Sequence, residues 1–532
     1  MRFRWPEGTA FRRLVLDVEQ DSCGHCGRRL YVCDHRIHRI YTLKGPLELC
    51  CRLAHCSDTA CPARPQTLSP AKELSLTLPG WLIGWDVFCF IGHRRFARHW
   101  SIPQINNELA DSYHIRLSAD AVAVYLRRYQ TMAAARQQDQ DLLRLAYRGV
   151  DGLWLSIDGL QPEKGHETLY AVRELKAGRV WFAQALLSSN QDEVSRLLVR
   201  AREVAQTLGK PVRLWVSDKQ DAFVKGVASV FPGAPHRYCS NHFLRDLAKP
   251  TLESDSHAKV QMRKKIRGLR DVERQVLRGR LADPEALTAA PVSAAQVVLD
   301  YCCAVRGILN DDQGGPLQPP GLRMAMALQE VRASLRRVLA LNKPGPAHGQ
   351  LARLAGHVDQ GLAVVKGQQE QVKEQVEAIT AVAGTLAART GSLRQRRARY
   401  QRLLGQYQGQ GGEFRSRLAK VMKGWQAGLF VAVRGKGAQQ APWDNLDLER
   451  WFRLPKGHER RIHGHRHAGV RIVQEGPTLL LVLNAHEARP DPFTAQDLLP
   501  YRHAQEPQDQ HEAIHRRKVM RKARSQKSGH LC

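Results

Sequence analysis

The chain has no apolar run of membrane-spanning length and no charged–apolar–small leader at Met1-Arg-Phe-Arg-Trp-Pro6, which argues against a spanning helix and against secretion. It is also short of acid. Asp and Glu number 51 against 81 Lys and Arg, a formal charge of +30. Such an imbalance is a statement about partners, and nucleic acid is the first polyanion it suggests. Beyond residue 61 cysteine is scarce, because seven of the twelve lie between Cys23 and Cys61. A disulfide scaffold is not expected in a long chain of intracellular character, so the cluster points to metal. Together these absences predict a cytoplasmic, nucleoid-associated protein. At 532 residues, with 43% apolar and 25% charged side chains, the chain has room for several domains and a sizeable core.

Two aspartates stand out because each ends an apolar run. Leu153-Trp-Leu-Ser-Ile-Asp158 and Val212-Arg-Leu-Trp-Val-Ser-Asp218 read as short buried strands with a carboxylate at the C-terminal tip. A third acid, Glu449, follows in Asn445-Leu-Asp-Leu-Glu449, where a helix puts Asn445 on the face of Glu449 and turns Asp447 away. Two strand-tip carboxylates and one helical one can hold two Mg²⁺ (or Mn²⁺) for phosphodiester chemistry. A single acid at a strand end is more often a turn residue; order and context give these three their weight.

The rest of the chain divides by pattern. Residues 1–70 hold the cysteines. Residues 71–145 read as helical, and the link Ala110 to Ser118 between two short helices suits a DNA-binding helix-turn-helix with Ser118 as N-cap, or a plain helical hairpin. Residues 146–250 predict strands at 153–157, 167–175, 179–187 and 212–217, with helices at 191–208 and 219–230 and a tight turn at Gly178. From 251 to 440 strand signals are nearly absent. A heptad-like stripe from Val358 through Ile379 to Leu404 predicts a coiled coil of roughly 85 Å, a long helical hairpin or a bundle core, with Gly384 and Gly391 as places to bend. Gln406 to Gly412 reads as a flexible link back to the body. Residues 441–490 carry Glu449 and a basic segment, and 491–532 read as a basic, disordered tail.

Cys23-Gly-His-Cys26-Gly is a strong zinc-knuckle signal, because the turn aims both thiolates at one tetrahedral metal. The second pair is ambiguous: Cys51 and Cys56 are favoured, with Cys61 next and the remaining Cys and His as spare thiols or a second metal. Arg127, Arg128, Arg453, Lys456, Arg460, Arg461 and Arg466 are the candidate DNA contacts.

Asp158-Gly, Ser217-Asp218, then Cys239-x-x-His242, a helical stretch and Asn445-Leu-Asp-Leu-Glu449 resemble the DDE transposases of the Mutator-like group and related bacterial insertion-sequence enzymes. The resemblance covers roughly residues 150–475, and an N-terminal zinc ribbon with a helix-turn-helix extends it. It implies a multidomain chain whose RNase H-like α/β catalytic domain is interrupted by a long all-α insertion. Asp158, Asp218 and Glu449 would be the catalytic, Mg²⁺-holding triad; Cys239 and His242 would be a motif that shapes the site or the DNA grip. The implied partners are double-stranded DNA, at transposon ends and target, and further copies of the chain. A DNA-binding regulator that keeps only the scaffold of such an enzyme is the alternative, and a helical assembly protein is a more distant one.

Overall fold

A computed structural model describes residues 5–161, 167–282, 294–341, 345–435, 437–464 and 469–528. The chain forms two compact units: residues 1–236 with 433–532, and the intervening 237–432.

The first unit opens with a three-stranded sheet of β1 (Arg12–Leu16), β2 (Leu30–Thr42) and β3 (Gly45–Cys56) in the order β1-β3-β2. β2 and β3 make a long antiparallel ribbon whose turn is closed by Gly45 at φ +102°, a conformation that favours glycine. Alternation buries Leu47, Leu49 and Cys51 on one face of β3, against Leu16 and Ile40.

Five helices follow: α1 (Lys72–Leu76), α2 (Trp85–Phe96), α3 (Ile102–Tyr113), α4 (Ala119–Gln137) and α5 (Gln140–Ala146). Ser118 caps α4 by accepting from the Ala121 amide at 3.1 Å, as its sequence position predicts. Much of α4 is buried through Val122, Tyr125, Tyr129 and Met132, while Val124 and Arg127 near its start are exposed.

The second sheet uses the predicted segments: β4 (Leu153–Leu160), β5 (Thr168–Glu174), β6 (Arg179–Leu186), α6 (Gln191–Thr207), β7 (Val212–Ser217) and α7 (Asp221–Val230). Gly178 turns β5 into β6 at φ +60°. The order is β6-β5-β4-β7-β8, with β8 (His236–Tyr238) as the short strand through which the chain leaves the unit. β4 is antiparallel to β5 and parallel to β7. Leu155, Ile157 and Trp215 bury one face of the sheet against α6 and α7, through Leu198 and Phe223.

The second unit is helical: α8 (Ser240–Lys265), α9 (Leu269–Ala282), α10 (Ala294–Asn310), α11 (Pro320–Leu341), α12 (Pro346–Ala363), α13 (Lys366–Leu386), α14 (Leu393–Gly409) and α15 (Glu413–Leu429). Of the arrangements the stripe admits, a bundle is the one formed. The stripe residues are buried, but its helix breaks after Ala363 and again at 387–392, where Gly391 takes φ +136°; Gly384 lies inside α13. Val358, Leu362 and Val365 therefore enter one core, and Ile379, Tyr400 and Leu404 another. A heptad pattern satisfies a bundle as well as a rod, since both need one apolar stripe. The segment expected to be a flexible link is the end of α14 and a turn at Gly411 and Gly412 into α15.

The chain returns to the first unit as α16 (Leu446–Trp451), α17 (Arg453–His463), α18 (Gly469–Ala488), α19 (Ala495–Leu498) and α20 (Gln508–Ser528). α18 is largely buried, and its Gly476 lies so close to Leu169 of β5 that no Cβ would fit. The tail expected to be disordered from 491 is helical over much of its described part, 491–528. Phe493, Leu498 and Ala513 are buried anchors, and α20 occupies half of the segment. Its basic composition hid those few apolar contacts. Among the described residues no helix is long and apolar enough to cross a membrane.

Candidate functional site

The N-terminal cysteine cluster, a candidate metal site, is built from a turn and a strand end. Gly27, at φ +71°, lets its amide donate to the Cys23 carbonyl at 2.9 Å, while the Cys23 amide donates to Arg28 at 2.7 Å. That turn brings Cys23 and Cys26 together. Cys56 arrives at the end of β3, and Cys61 follows a short turn in which Asp58 accepts from the Ala60 amide at 2.9 Å. All four sulfurs lie within 4.8 Å of one another; Cys26 to Cys56 is 3.4 Å and Cys23 to Cys61 is 3.9 Å. Tetrahedral zinc–thiolate bonds put sulfurs ~3.8 Å apart, so four cysteines this close can hold a metal such as zinc.

Backbone amides of Cys26 and His25 hold the Cys23 thiol down at about 7, whereas burial pushes Cys56 up to about 12 and raises Cys61. A bound cation would favour the thiolate at all four.

The favoured fourth ligand, Cys51, was misplaced, and Cys61 takes its position. Five residues along a strand cover ~17 Å and end on the opposite face, so Cys51 cannot join Cys56. It packs in the sheet core, where burial pushes its thiol up to about 11. His38 is committed elsewhere, to Glu73 at 2.9 Å and the Trp81 carbonyl at 2.7 Å.

The two aspartates follow from strand register. β4 and β7 pair in parallel up to Ser156 opposite Val216. Two residues further along each chain stand Asp158, on β4, and Asp218, just past β7. Period-two alternation gives both the sheet face of Trp154, Ser156, Leu214 and Val216. Adjacent strands lie ~4.8 Å apart, so the register brings the two acids level on neighbouring strands. Both are half-buried. Asp158 accepts from the Gly159 amide at 2.8 Å and Asp218 from the Gln220 amide at 3.0 Å.

The backbone at Asp218 is fixed from behind. Ser217 Oγ donates to the Asp218 carbonyl at 2.7 Å, so His236 Nε2, at 2.8 Å, is the donor to that hydroxyl. Burial lowers the His236 imidazole to about 4, which keeps it neutral in this role.

The helix carrying Glu449 is attached to the same face. Trp154, Leu214 and Val216 pack on Ala441. Asn445 is fully buried; its side-chain oxygen accepts from the Ser156 hydroxyl and its amide donates to the Ile157 carbonyl at 3.5 Å. Glu449 lies one turn beyond Asn445, its amide bonded to the Asn445 carbonyl at 3.0 Å, and is half-buried. Asp447 is turned toward β5, where it pairs with Arg173 at 2.8 Å, and Asp444 accepts from the Leu446 amide at 3.1 Å. Burial raises the Asp444 carboxyl. Carboxylate oxygens at half-buried positions are donors of the type that hard divalent cations take. Cys239 and His242 belong to the second unit, at the N-cap and first turn of α8, with Cys239 fully buried.

On α17, Pro455, His458, Glu459 and Ile462 are buried, while Arg453, Arg460 and Arg461 are exposed and Lys456 is partly so. At 100° per residue these four cations share one side of the helix. Arg466 lies outside the described residues. Arg128 differs from the expectation: its guanidinium is taken up by the backbone carbonyls of Arg502 and Ala504, because α4 turns that side inward, and only Arg127 of the pair is exposed. Arg471 is partly exposed and is paired within the fold, 2.9 Å from Glu475 and 4.0 Å from Glu459.

Comparison with protein-family models and with curated proteins finds no match.

Proposed function

We propose that the chain is a DDE-type DNA transposase with an RNase H-like catalytic domain, cutting DNA at transposon ends and joining the freed 3′-hydroxyl to target DNA. Three antiparallel strands, a helix, a fourth strand parallel to the first and another helix are the order expected of such a domain, which supports the reading. The observation that carries it is the register of β4 and β7, level at Asp158 and Asp218, with the Glu449 helix tied to β4 through Asn445.

In this reading Asp158, Asp218 and Glu449 hold Mg²⁺ or Mn²⁺, which supplies activation of the attacking oxygen and stabilisation of the leaving one. The protein's own part is positioning. Strand pairing fixes Asp158, the Ser217–His236 contact fixes the backbone of Asp218, and Asn445 fixes the helix of Glu449. The exposed cations of α17 take the phosphates flanking the scissile bond, which adds affinity without sequence choice. The cysteine cluster holds zinc and stiffens the β2–β3 ribbon, and α3 with α4 reads the transposon end as a helix-turn-helix.

The test is incubation of the full chain with duplex DNA carrying the sequence that flanks its own gene. Strand breaks bearing 3′-hydroxyl ends that need Mg²⁺ and vanish with chelator are expected. Tight binding with no break in Mg²⁺ or Mn²⁺ would favour a regulator instead.

A further inference from the structure

The helical unit carries charge that the acidic site does not explain. Residues 387–432 contain ten Lys and Arg and one acid, Glu413. Elsewhere in this unit arginines meet carboxylates: Arg263 lies 3.0 Å from Asp312, Arg323 3.3 Å from Asp311 and Arg336 3.3 Å from Asp359. On α14 and α15 only a few cations are taken internally. Arg396 donates to the Leu386 carbonyl at 2.7 Å, Arg399 donates to the Thr390 carbonyl, and Arg415 pairs with Glu374 at 3.3 Å.

The remainder face outward. α14 and α15 are held together by Tyr400, Leu404, Met422 and Trp425, with the Tyr400 hydroxyl donating to the Met422 carbonyl at 2.8 Å. With those side chains inside, Arg394, Arg397 and Arg402 are exposed on one side of α14, and Arg417, Lys420 and Lys423 are exposed on α15. A cleft of about 310 Å³, lined by Arg397, Gln401, Gln426 and Ala427 among others, lies between the helices. Its lining includes no carboxylate.

We propose that this α14–α15 face is a second docking surface for duplex DNA, gripping the phosphate backbone independently of the acidic site. The choice of DNA rests on the transposase reading; the choice of a polyanion does not. Exposed like charges without acids raise the free energy of the free protein, and a phosphate backbone removes that repulsion while releasing counterions. Arg394 to Arg402 span ~12 Å of helix axis, the rise of three to four base pairs. A single strand fits less well, because Tyr400, Tyr407, Trp425 and Phe430 are buried, and Phe414 is the one partly exposed ring on α14 and α15 for a base to stack on. A membrane surface fits less well too, since no exposed large apolar side chain accompanies the exposed cations.

The experiment is a salt titration of full-chain binding to random-sequence duplex DNA, comparing wild type with R394Q/R397Q/R402Q. Three lost phosphate contacts should lower the slope of log affinity against log salt by about 2.7. The affinity ratio between 50 and 200 mM salt should then shrink by about 40-fold. R394K/R397K/R402K should restore the slope, and R417Q/K420Q should lower it by about two. An unchanged slope in both glutamine variants, at wild-type melting temperature, would overturn the proposal. A larger effect on duplex RNA than on duplex DNA would overturn the DNA assignment. If wild type never cuts DNA but the slope still falls in the variants, the catalytic reading fails and this surface stands.

Discussion

Asn445 accepts a hydrogen bond from the hydroxyl of Ser156 across 289 positions of sequence, both side chains fully buried. That contact joins the short helix of Glu449 to the strand of Asp158, and it spans the whole helical unit inserted between them. Asn445→Ala leaves the Ser156 hydroxyl buried without this acceptor, a cost of about 1–3 kcal/mol. Thermal unfolding should show that loss. DNA cleavage should fall further than stability accounts for at a temperature where the variant is folded, while binding to DNA persists. Equal, small losses in both would make Asn445 a packing residue alone.

The cysteine site separates two neighbours in the sequence. Cys61→Ser should reduce the zinc content of the full chain, because it removes one of four sulfurs within 4.8 Å. Cys51→Ser should leave zinc content unchanged and instead lower stability, since a hydroxyl would replace a thiol in the core of the ribbon. Metal analysis of the purified variants reads both outcomes. Zinc lost with Cys51 and kept without Cys61 would reverse the assignment.

The strands around both aspartates were legible because each is a continuous apolar run bounded by turn residues, and both faces of that sheet are covered. The zinc ligands were only half legible. Spacing names the Cys23–Cys26 turn, but it ranks Cys51 ahead of Cys61 until strand parity sets Cys51 on the other face. The stripe from Val358 to Leu404 is legible as a buried face and no further, since periodicity reports a face and not continuity across Val365 or Gly391, and so does not choose between a rod, a hairpin and the bundle that forms. Arg127 and Arg128 are adjacent and chemically alike; only the packing of α4 makes one exposed and the other a clamp on residues 502–504. In the tail, three apolar anchors among many polar residues are too few to register as a pattern.

Glu459 predicts a pH dependence. It is 2% exposed, and burial raises its carboxyl from 4.5 to about 7 despite Arg471 at 4.0 Å, with Glu475 adding repulsion and Arg95 opposing it. The folded state therefore holds this proton longer than the unfolded state. Its contribution to stability is present below about pH 4.5, declines as pH rises and is gone above about pH 7. The full effect is about 3 kcal/mol. Glu459→Gln should be more stable than wild type above pH 7, with the gap closing in acid. Parallel stability curves across that range would contradict this.

The exposed face of α17 predicts a uniform effect on DNA. Arg460→Ala with Arg461→Ala should weaken binding to every duplex alike and lower the salt slope by about two. Fluorescence anisotropy against salt measures it. Unchanged binding would place this face on the solvent side.

The central claim is that Asp158, Asp218 and Glu449 work as one metal-holding set, and the most direct measurement compares strand cleavage by single variants at equal DNA occupancy. Asp158→Asn, Asp218→Asn and Glu449→Gln should each abolish Mg²⁺-dependent cleavage, with DNA binding and zinc content as in wild type. Asp447→Asn, which loses only a pairing with Arg173, should keep most of the activity. Cleavage that survives Glu449→Gln, or that disappears with Asp447→Asn at unchanged stability, would contradict the account.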